Sequence, residues 1–307
     1  MKDMKKIQSI IHVLEKNDDA VSKILNGTRI RFSIGEADTM NAIAMIPSLI
    51  QEYGDLSNCC INIPIDPVTK LIDTNLVSVA SKVCIDLSQS TARGEGNFNY
   101  TINFNGPTLC PYFPAGYNKK ELGKSIVVGF EYPNLLVHLL QALLPTTSSK
   151  SIITNYPITK DEDWNNAYTV MKNEIELHVR NIIKQVTDRI SINKDNHHFK
   201  FSGIDSSPAP SKNVSSMCRV IELLGVKHFG ASGTVECCSY LTRLFKSICQ
   251  EKKNEENVIP LVGFSGLMFA ALEDSGLAAA AASGYYDIRN LLTYSAVCGI
   301  GLDTGKL

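Results

Sequence analysis

Segments typical of buried strands alternate with helical segments along most of this chain. Three strand-like runs occupy the first third: TRIRFSI (28–34), NCCINIPI (58–65) and KVCIDLSQ (82–89). Helical patterns lie between them, at 37–54 and at 66–81. Three more strand-like runs follow: SIVVGFEY (125–132), FKFSGI (199–204) and VIPLVGFSGLMFA (258–270). This alternation predicts an α/β fold.

Helices are predicted over the remaining apolar-periodic segments. The first covers about residues 6–25, and the others are at 133–144, 164–190, 215–225, 233–250, 275–284 and 286–297. In the long helix at 164–190, we expect Leu177, Ile182 and Val186 to mark part of the buried face. Such a chain of 307 residues can bury a large core, and we expect a single domain over 1–307.

Charge and cysteine usage exclude several classes of function. The net charge is −1 and no basic run exceeds two residues, so we expect no nucleic-acid partner. No run of about 18 residues is both apolar and without charged residues, and the amphipathic N-terminal segment is unlike a signal peptide. We therefore expect no membrane segment. Nine cysteines without a C-x-x-C motif indicate reduced thiols in the cytoplasm.

The order of the motifs resembles a known family. The segments that carry the resemblance are CPYFPAGYNKKELGKSIVVGFEYPNLL (110–136), FSGIDSSPAPS (201–211), LLGVKHFGASGTVECCSYLTRLFKSI (223–248) and the run from Leu261 to Thr304 that ends in CGIGLDT. They are similar to domain-of-unknown-function family 711, also called uncharacterised protein family 0210. The similarity extends from about Pro111 to Thr304, and residues 1–60 match most weakly.

The resemblance implies a fold but no activity. The implied fold is an α/β barrel related to the barrels of pyruvate formate-lyase and ribonucleotide reductase. Members of the family continue well past the GLD motif, whereas this sequence ends at Leu307. We therefore expect a chain short of the family's usual C-terminal part, in which those later elements are either lost or dispensable.

A glycine-rich segment leads into a predicted helix at FGASGTVECC (229–238). Backbone N–H groups at Gly230, Ser232, Gly233 and Thr234, with the positive end of the helix, would favour a carboxylate or phosphate. The alternative is a tight turn with Thr234 as the cap. The segment is neither a Walker motif nor G-x-G-x-x-G.

Three acidic residues are candidates for proton transfer or cation binding. Asp205 follows a strand, which is where α/β folds place ligands, and Glu131 ends another strand in GFEYP. With Asp303 they could form a cluster that binds a divalent cation or performs acid–base chemistry. The alternative is three separate structural acids, and no ligand spacing identifies a metal.

Small residues near the C-terminal end form the last group of candidates. Ser265 and Gly266 end an apolar run, but Leu267 stands where a nucleophile elbow needs glycine, so we expect ligand contact only. Cys298 is a candidate nucleophile or pocket wall. A glycyl radical is not expected at Gly284, because the arginine of that signature is replaced by Ala281.

Two functions remain open from the sequence. The first is an enzyme that acts on a small anionic metabolite, with Asp205 or Glu131 moving a proton and Cys298 as nucleophile or wall. The second is a non-catalytic metabolite-binding or structural homologue. The oligomeric state is also open, and a homodimer is one of the possibilities.

Overall fold

The computed structural model describes residues 32–54, 57–106, 109–111, 123–143, 161–192, 199–211, 213–250 and 258–303. The predicted helix at about 6–25 lies outside these residues. The chain divides into two compact units, Met1–Leu122 and Gly123–Leu307. No helix in the described ranges is both long enough and apolar enough to cross a membrane.

The first unit is a three-stranded parallel sheet with helical connections. Its elements are β1 (Phe32–Glu36), α1 (Met40–Ala44), α2 (Ile46–Tyr53), β2 (Ser57–Ile63), α3 (Thr74–Ser90), an irregular helical segment (Ala92–Asn99) and β3 (Tyr100–Phe104). The strand order is β1-β2-β3, and Cys59 pairs with Tyr100 in the register between β2 and β3.

The strand predicted at KVCIDLSQ (82–89) is wrong, because this segment is the C-terminal half of α3. Ala80, Val83 and Leu87 are buried at helical spacing, and they pack in the core of the unit. The helix begins at residue 74 because the Asp73 side chain accepts the backbone N–H groups of Asn75 at 2.9 Å and Leu76 at 3.2 Å. Residues 66–73, predicted as helical, form a turn that precedes α3.

The second unit contains a pair of parallel strands and most of the helices. Its elements are β4 (Lys124–Phe130), α4 (Pro133–Leu143), α5 (Asp161–Ile192), β5 (Phe199–Pro208), α6 (Met217–Leu223), α7 (Thr234–Ser247), α8 (Ser275–Ala282) and α9 (Ile288–Ser295). β4 pairs with β5, and Gly129 stands opposite Asp205. Neither this sheet nor the sheet of the first unit closes on itself in the described part of the chain.

The predicted buried face of the long helix α5 is wrong at Leu177 and Ile182, whereas Val186 is half-buried. Leu177 and Ile182 are 54% and 38% exposed. The buried apolar side chains among the described residues of this helix recur every four residues, and they are Ala167, Met171, Ile175, Val179 and Ile183. Both faces of this helix carry apolar residues, so the sequence pattern alone does not identify the one that packs.

The segment 258–270, predicted as a buried strand leading into a turn, forms two short bridges. Residues 260–262 lie beside β5, where Ile204 N–H donates to the Pro260 carbonyl at 2.9 Å and Val262 N–H donates to the Ile204 carbonyl at 2.8 Å. Farther on, Ala270 bridges to Asp303. Between them Ser265 has a left-handed backbone (φ 45°), which interrupts any continuous strand.

Candidate functional site

Asp205 is the most extensively hydrogen-bonded of the predicted site residues. It is fully buried on β5. Its Oδ1 accepts the Ser207 N–H at 2.9 Å, the Ser207 hydroxyl at 2.7 Å and the Ser265 N–H at 2.9 Å. Its Oδ2 accepts the Phe264 N–H at 2.7 Å. Burial raises the pKa of Asp205, although these bonds act in the opposite direction. The carboxylate therefore ties β5 to the loop that contains Ser265.

Ser265 and Gly266 are held in that loop by further hydrogen bonds. The Ser265 hydroxyl donates to the Val262 carbonyl at 3.0 Å. The Gly266 N–H donates to the Ser207 hydroxyl at 3.0 Å. The absence of a Cβ at Gly266 is a steric requirement, since a Cβ there would lie 2.5 Å from the Cα of Gly299. The loop and the CGIGLDT motif are therefore packed backbone against backbone.

Cys298, the residue before this contact, has a partly buried thiol. Its Sγ lies within hydrogen-bonding distance of the carbonyls of Ser295 and Ile300, and its single S–H can donate to either. Burial raises the pKa of the thiol, and the nearby Asp303 carboxylate adds to the rise. A nucleophilic cysteine needs the opposite shift, so this environment fits a pocket wall better than a nucleophile.

The loop at 230–234 uses much of its own hydrogen-bonding capacity. The Thr234 hydroxyl accepts the Gly230 N–H at 3.1 Å and donates to the Ala231 carbonyl at 2.7 Å. Gly233 begins α7 with a left-handed backbone (φ 96°), a conformation that glycine adopts without strain. Ser232 and Gly233 are exposed, whereas Thr234 is buried. The turn is therefore held by hydrogen bonds within itself, and its exposed residues, Ser232 and Gly233, lie at the start of the 14-residue helix α7.

Several of the predicted site residues lie close to Asp205. Asp205, Ser265 and Gly266 lie together, and the Gly266–Gly299 contact brings Cys298 to them. The Thr242 side chain on α7 lies beside Gly266, since a Cβ on Gly266 would be 3.4 Å from the Thr242 Cγ2. Because Thr234 is eight residues earlier on that helix, the loop at 230–234 is about 12 Å away along the helix axis.

Glu131 and Asp303 take different positions. Glu131 is exposed after β4. Asp303 lies near Cys298 and bridges to Ala270. Within the described ranges, no group of three or more His, Cys, Asp or Glu side chains is arranged to hold a metal ion.

A groove of about 250 Å³ in the second unit was not predicted from the sequence. Its lining combines a small-residue surface with polar and aromatic side chains: Arg219, Glu222, Phe229, Ala279, Ser283 and Tyr285. The Tyr285 ring is stacked on the His228 ring, with centroids 4.0 Å apart and an interplanar angle of 23°. The Arg219 Nη1 is 3.5 Å from the Glu222 Oε2. These residues come from separate segments of the sequence, so no local motif predicts the groove.

Two helices that line the groove share one capping carboxylate. Asp274 is buried. Its Oδ1 accepts the N–H groups of Gly276 at 2.8 Å and Leu277 at 3.1 Å, at the start of α8. Its Oδ2 accepts the Met217 N–H at 3.0 Å, at the start of α6. This single side chain therefore connects the N-terminal ends of α6 and α8.

The groove and the loop at 230–234 are neighbours. Phe229 lines the groove and directly precedes Gly230. A Cβ on Gly230 would lie 2.1 Å from the carbonyl oxygen of Tyr285, another lining residue. The glycine therefore allows the loop to pack directly against the segment that carries Tyr285.

Comparison with known proteins gives a family match. The model of the family described as Uncharacterised ACR (DUF711) matches residues 3–306. A UPF0210 protein of Bifidobacterium longum subsp. infantis is 24% identical over 267 residues, which are 84% of this chain and 52% of that protein. A UPF0210 protein of Clostridium acetobutylicum is 35% identical over 104 residues, which are 34% of this chain and 22% of that protein.

These matches confirm the resemblance seen in the sequence motifs. The chain spans about half the length of the Bifidobacterium relative, and a smaller share of the Clostridium relative. No solved protein structure significantly matches the chain.

Proposed function

Because this chain belongs to the DUF711 family of uncharacterised proteins, its function has to be argued from its own geometry, and we propose that it binds a small carboxylate-bearing metabolite in the groove lined by α6 and α8. The observation that carries the proposal is the position of Arg219 on the groove, whose lining also contains its partner Glu222, small residues and two aromatic rings. Guanidinium groups bind carboxylates with two parallel hydrogen bonds. The apolar part of the ligand would lie over Ala279 and beside Tyr285.

The existing partner of Arg219 does not prevent this role. Its ion pair with Glu222 is 3.5 Å long, and both side chains are partly exposed to solvent. Exposed pairs of this kind contribute little stability, so a ligand carboxylate can replace the glutamate at small cost. The loop at 230–234 also favours a negatively charged ligand, because it lies at the N-terminal end of α7 and the N-terminal ends of helices favour anions.

Binding without turnover is the function that we favour. Both oxygens of Asp205 already accept protein hydrogen bonds, and burial raises the pKa of Cys298. The catalytic roles of Asp205, Glu131 and Cys298 and the role of a divalent cation therefore stay predictions, as does the homodimer.

We place the parallel strands of the second unit in an α/β barrel, as the family resemblance implies. Residues 260–262 add to β5 in parallel, as the next strand of a barrel would. The single domain over 1–307 stays a prediction. A cytoplasmic location is also proposed, and it is supported by nine cysteines that are all free thiols.

The test is ligand-dependent thermal unfolding of the full chain. Benzoate, succinate and inorganic phosphate are titrated, with benzamide as the uncharged match for benzoate. Binding to the native state at a hundred times Kd adds about 2.7 kcal/mol of stability, so a saturable rise in Tm with benzoate or succinate, absent with benzamide, is expected.

The matched variants are Arg219→Gln and Arg243→Gln. Arg243 also forms a 3.5 Å pair with a glutamate, Glu236, but it does not line the groove. Loss of the carboxylate response in Arg219→Gln alone supports the proposal. No response in the unmodified chain, or equal responses in both variants, contradicts it.

A further inference from the structure

The groove lined by α6 and α8 carries one positive and one negative side chain. Arg219 and Glu222 are three residues apart on α6, and the Arg219 Nη1 is 3.5 Å from the Glu222 Oε2. Their side chains are 51% and 32% exposed, so a ligand can reach both from solvent. The other described residues that line the groove are uncharged. A ligand that carries only a negative charge, and binds Arg219, would therefore leave Glu222 without a partner in the groove.

The negative charge of Glu222 acts on the wall of the groove. Cys218 is a buried residue of the same lining. Burial raises the pKa of its thiol and the Ser216 hydroxyl opposes the rise, while the carboxylates of Asp274 and Glu222 add to it. A ligand carboxylate bound to Arg219 would lie close to Glu222, and two negative charges at such short range repel each other.

A positive group on the same ligand removes this repulsion. When a ligand carboxylate takes the place of Glu222 on Arg219, the Glu222 side chain stays on the neighbouring turn of α6. An ammonium group next to the ligand carboxylate can then form a charge-assisted hydrogen bond with Glu222. An α-amino acid has its ammonium and carboxylate groups on one carbon atom. Its two charges are therefore adjacent, as those of Arg219 and Glu222 are.

We propose that the groove binds an α-amino acid with an apolar side chain, an inference that rests on the carboxylate site proposed for Arg219. The carboxylate of the amino acid pairs with Arg219 and its ammonium group pairs with Glu222. The groove has a volume of about 250 Å³. Sites for drug-sized ligands start at about 300 Å³, so a ligand of the size of one amino acid is appropriate.

The apolar side chain of the ligand lies against the aromatic part of the lining. Phe229 and Tyr285 both line the groove, together with the small residues Ala279 and Ala280. The Tyr285 ring is stacked on His228 and is still 48% exposed, so it offers apolar area to a ligand while its position is held.

The experiment is calorimetric titration of the full chain with phenylalanine and leucine. Their matches without the ammonium group are 3-phenylpropionate and 4-methylpentanoate, which keep the carboxylate and the apolar part. At least one amino acid should bind about tenfold more tightly than its match, the factor for one charge-assisted hydrogen bond. Equal affinities within both pairs would overturn the amino-acid inference and leave the carboxylate site intact.

The variant Glu222→Gln should change the two kinds of ligand in opposite directions. It removes the partner of the ammonium group, so the affinity for the amino acid should fall about tenfold. It also removes the competitor for Arg219, so the affinity for the ligand without the ammonium group should rise. A merely structural role of Glu222 would move both affinities in the same direction, and that result overturns the inference.

The matched control is Glu236→Gln. Glu236 also pairs with an arginine at 3.5 Å, but neither it nor its partner Arg243 lines the groove. Its substitution should leave all four affinities unchanged. Absence of binding by both amino acids overturns the inference. If Arg219→Gln leaves every affinity unchanged, the carboxylate site itself is wrong and the amino-acid inference fails with it.

Discussion

Gly266 and Gly299 are in backbone contact, and a Cβ built on Gly299 would lie 2.6 Å from the Cα of Gly266. The Gly299 N–H also donates to the Leu267 carbonyl at 2.8 Å. Neither glycine has a positive φ, so the requirement for glycine at both positions is one of space. The contact fixes the loop that Asp205 organises against the segment that contains Cys298.

Substitution Gly266→Ala should therefore lower the free energy of unfolding by about 1–3 kcal/mol, the usual cost of overpacking. Urea denaturation measures the change. Gly301→Ala is the control, because a Cβ at Gly301 meets nothing within 4 Å. Equal stabilities for the two variants would show that the two backbones separate at little cost.

Substitution Asp205→Asn should lower the free energy of unfolding by about 2–4 kcal/mol, because the amide presents a donor to backbone donors and loses charge-assisted bonds. Asp287→Asn is the control. Asp287 caps α9 and is exposed. Asparagine caps a helix about as well as aspartate, so the control should change by less than about 0.5 kcal/mol. A similar small change in both variants would show that the Asp205 carboxylate does not hold β5 to the loop that contains Ser265.

The thiol of Cys298 should react with iodoacetamide more slowly in the native protein than in urea. Burial raises its pKa, so its thiolate fraction at neutral pH is lower than that of an unfolded cysteine. Peptide mass spectrometry after timed quenching gives the rate at each cysteine. Faster labelling of Cys298 in the native state would return it to the role of nucleophile.

Stability should fall as the pH rises above about 9. Burial raises the pKa of Cys237 from 9.0 to about 12. The unfolded thiol therefore ionises first and the unfolded state binds fewer protons, so stability is complete below pH 9 and is lost as the pH rises towards 12. At pH 10 the loss from this one thiol is about 1.4 kcal/mol.

The comparison is between the unmodified chain and Cys237→Ala, by urea denaturation under reducing conditions at pH 8 and pH 10. The variant is less stable at pH 8 because it loses buried volume. Its further loss between pH 8 and pH 10 should be smaller than that of the unmodified chain by about 1.4 kcal/mol. Parallel losses would mean that Cys237 titrates normally.

The α/β class could be predicted because the alternation of apolar segments is a local property of the sequence. The pattern of segment 82–89 predicts a strand, because its apolar residues are closely spaced and include a valine and an isoleucine. Asp73, a helix-capping residue, is the local sequence signal for the longer helix α3.

Proximity in space was harder to predict than element type. Asp205 and Ser265 are 60 residues apart, yet one accepts the N–H of the other. The groove brings Arg219 near Tyr285 from separate segments, and neither has a neighbouring motif that indicates a ligand.

The carboxylate of Asp274, which caps α8 and binds the start of α6, has a kinetic consequence. Since both helix starts bond to the same side chain, they cannot separate without breaking hydrogen bonds to a buried acid. A groove with a fixed end needs no opening step before a ligand enters. The association rate should then follow diffusion and the field of Arg219, and differences in affinity among carboxylates should be found in how slowly each one leaves.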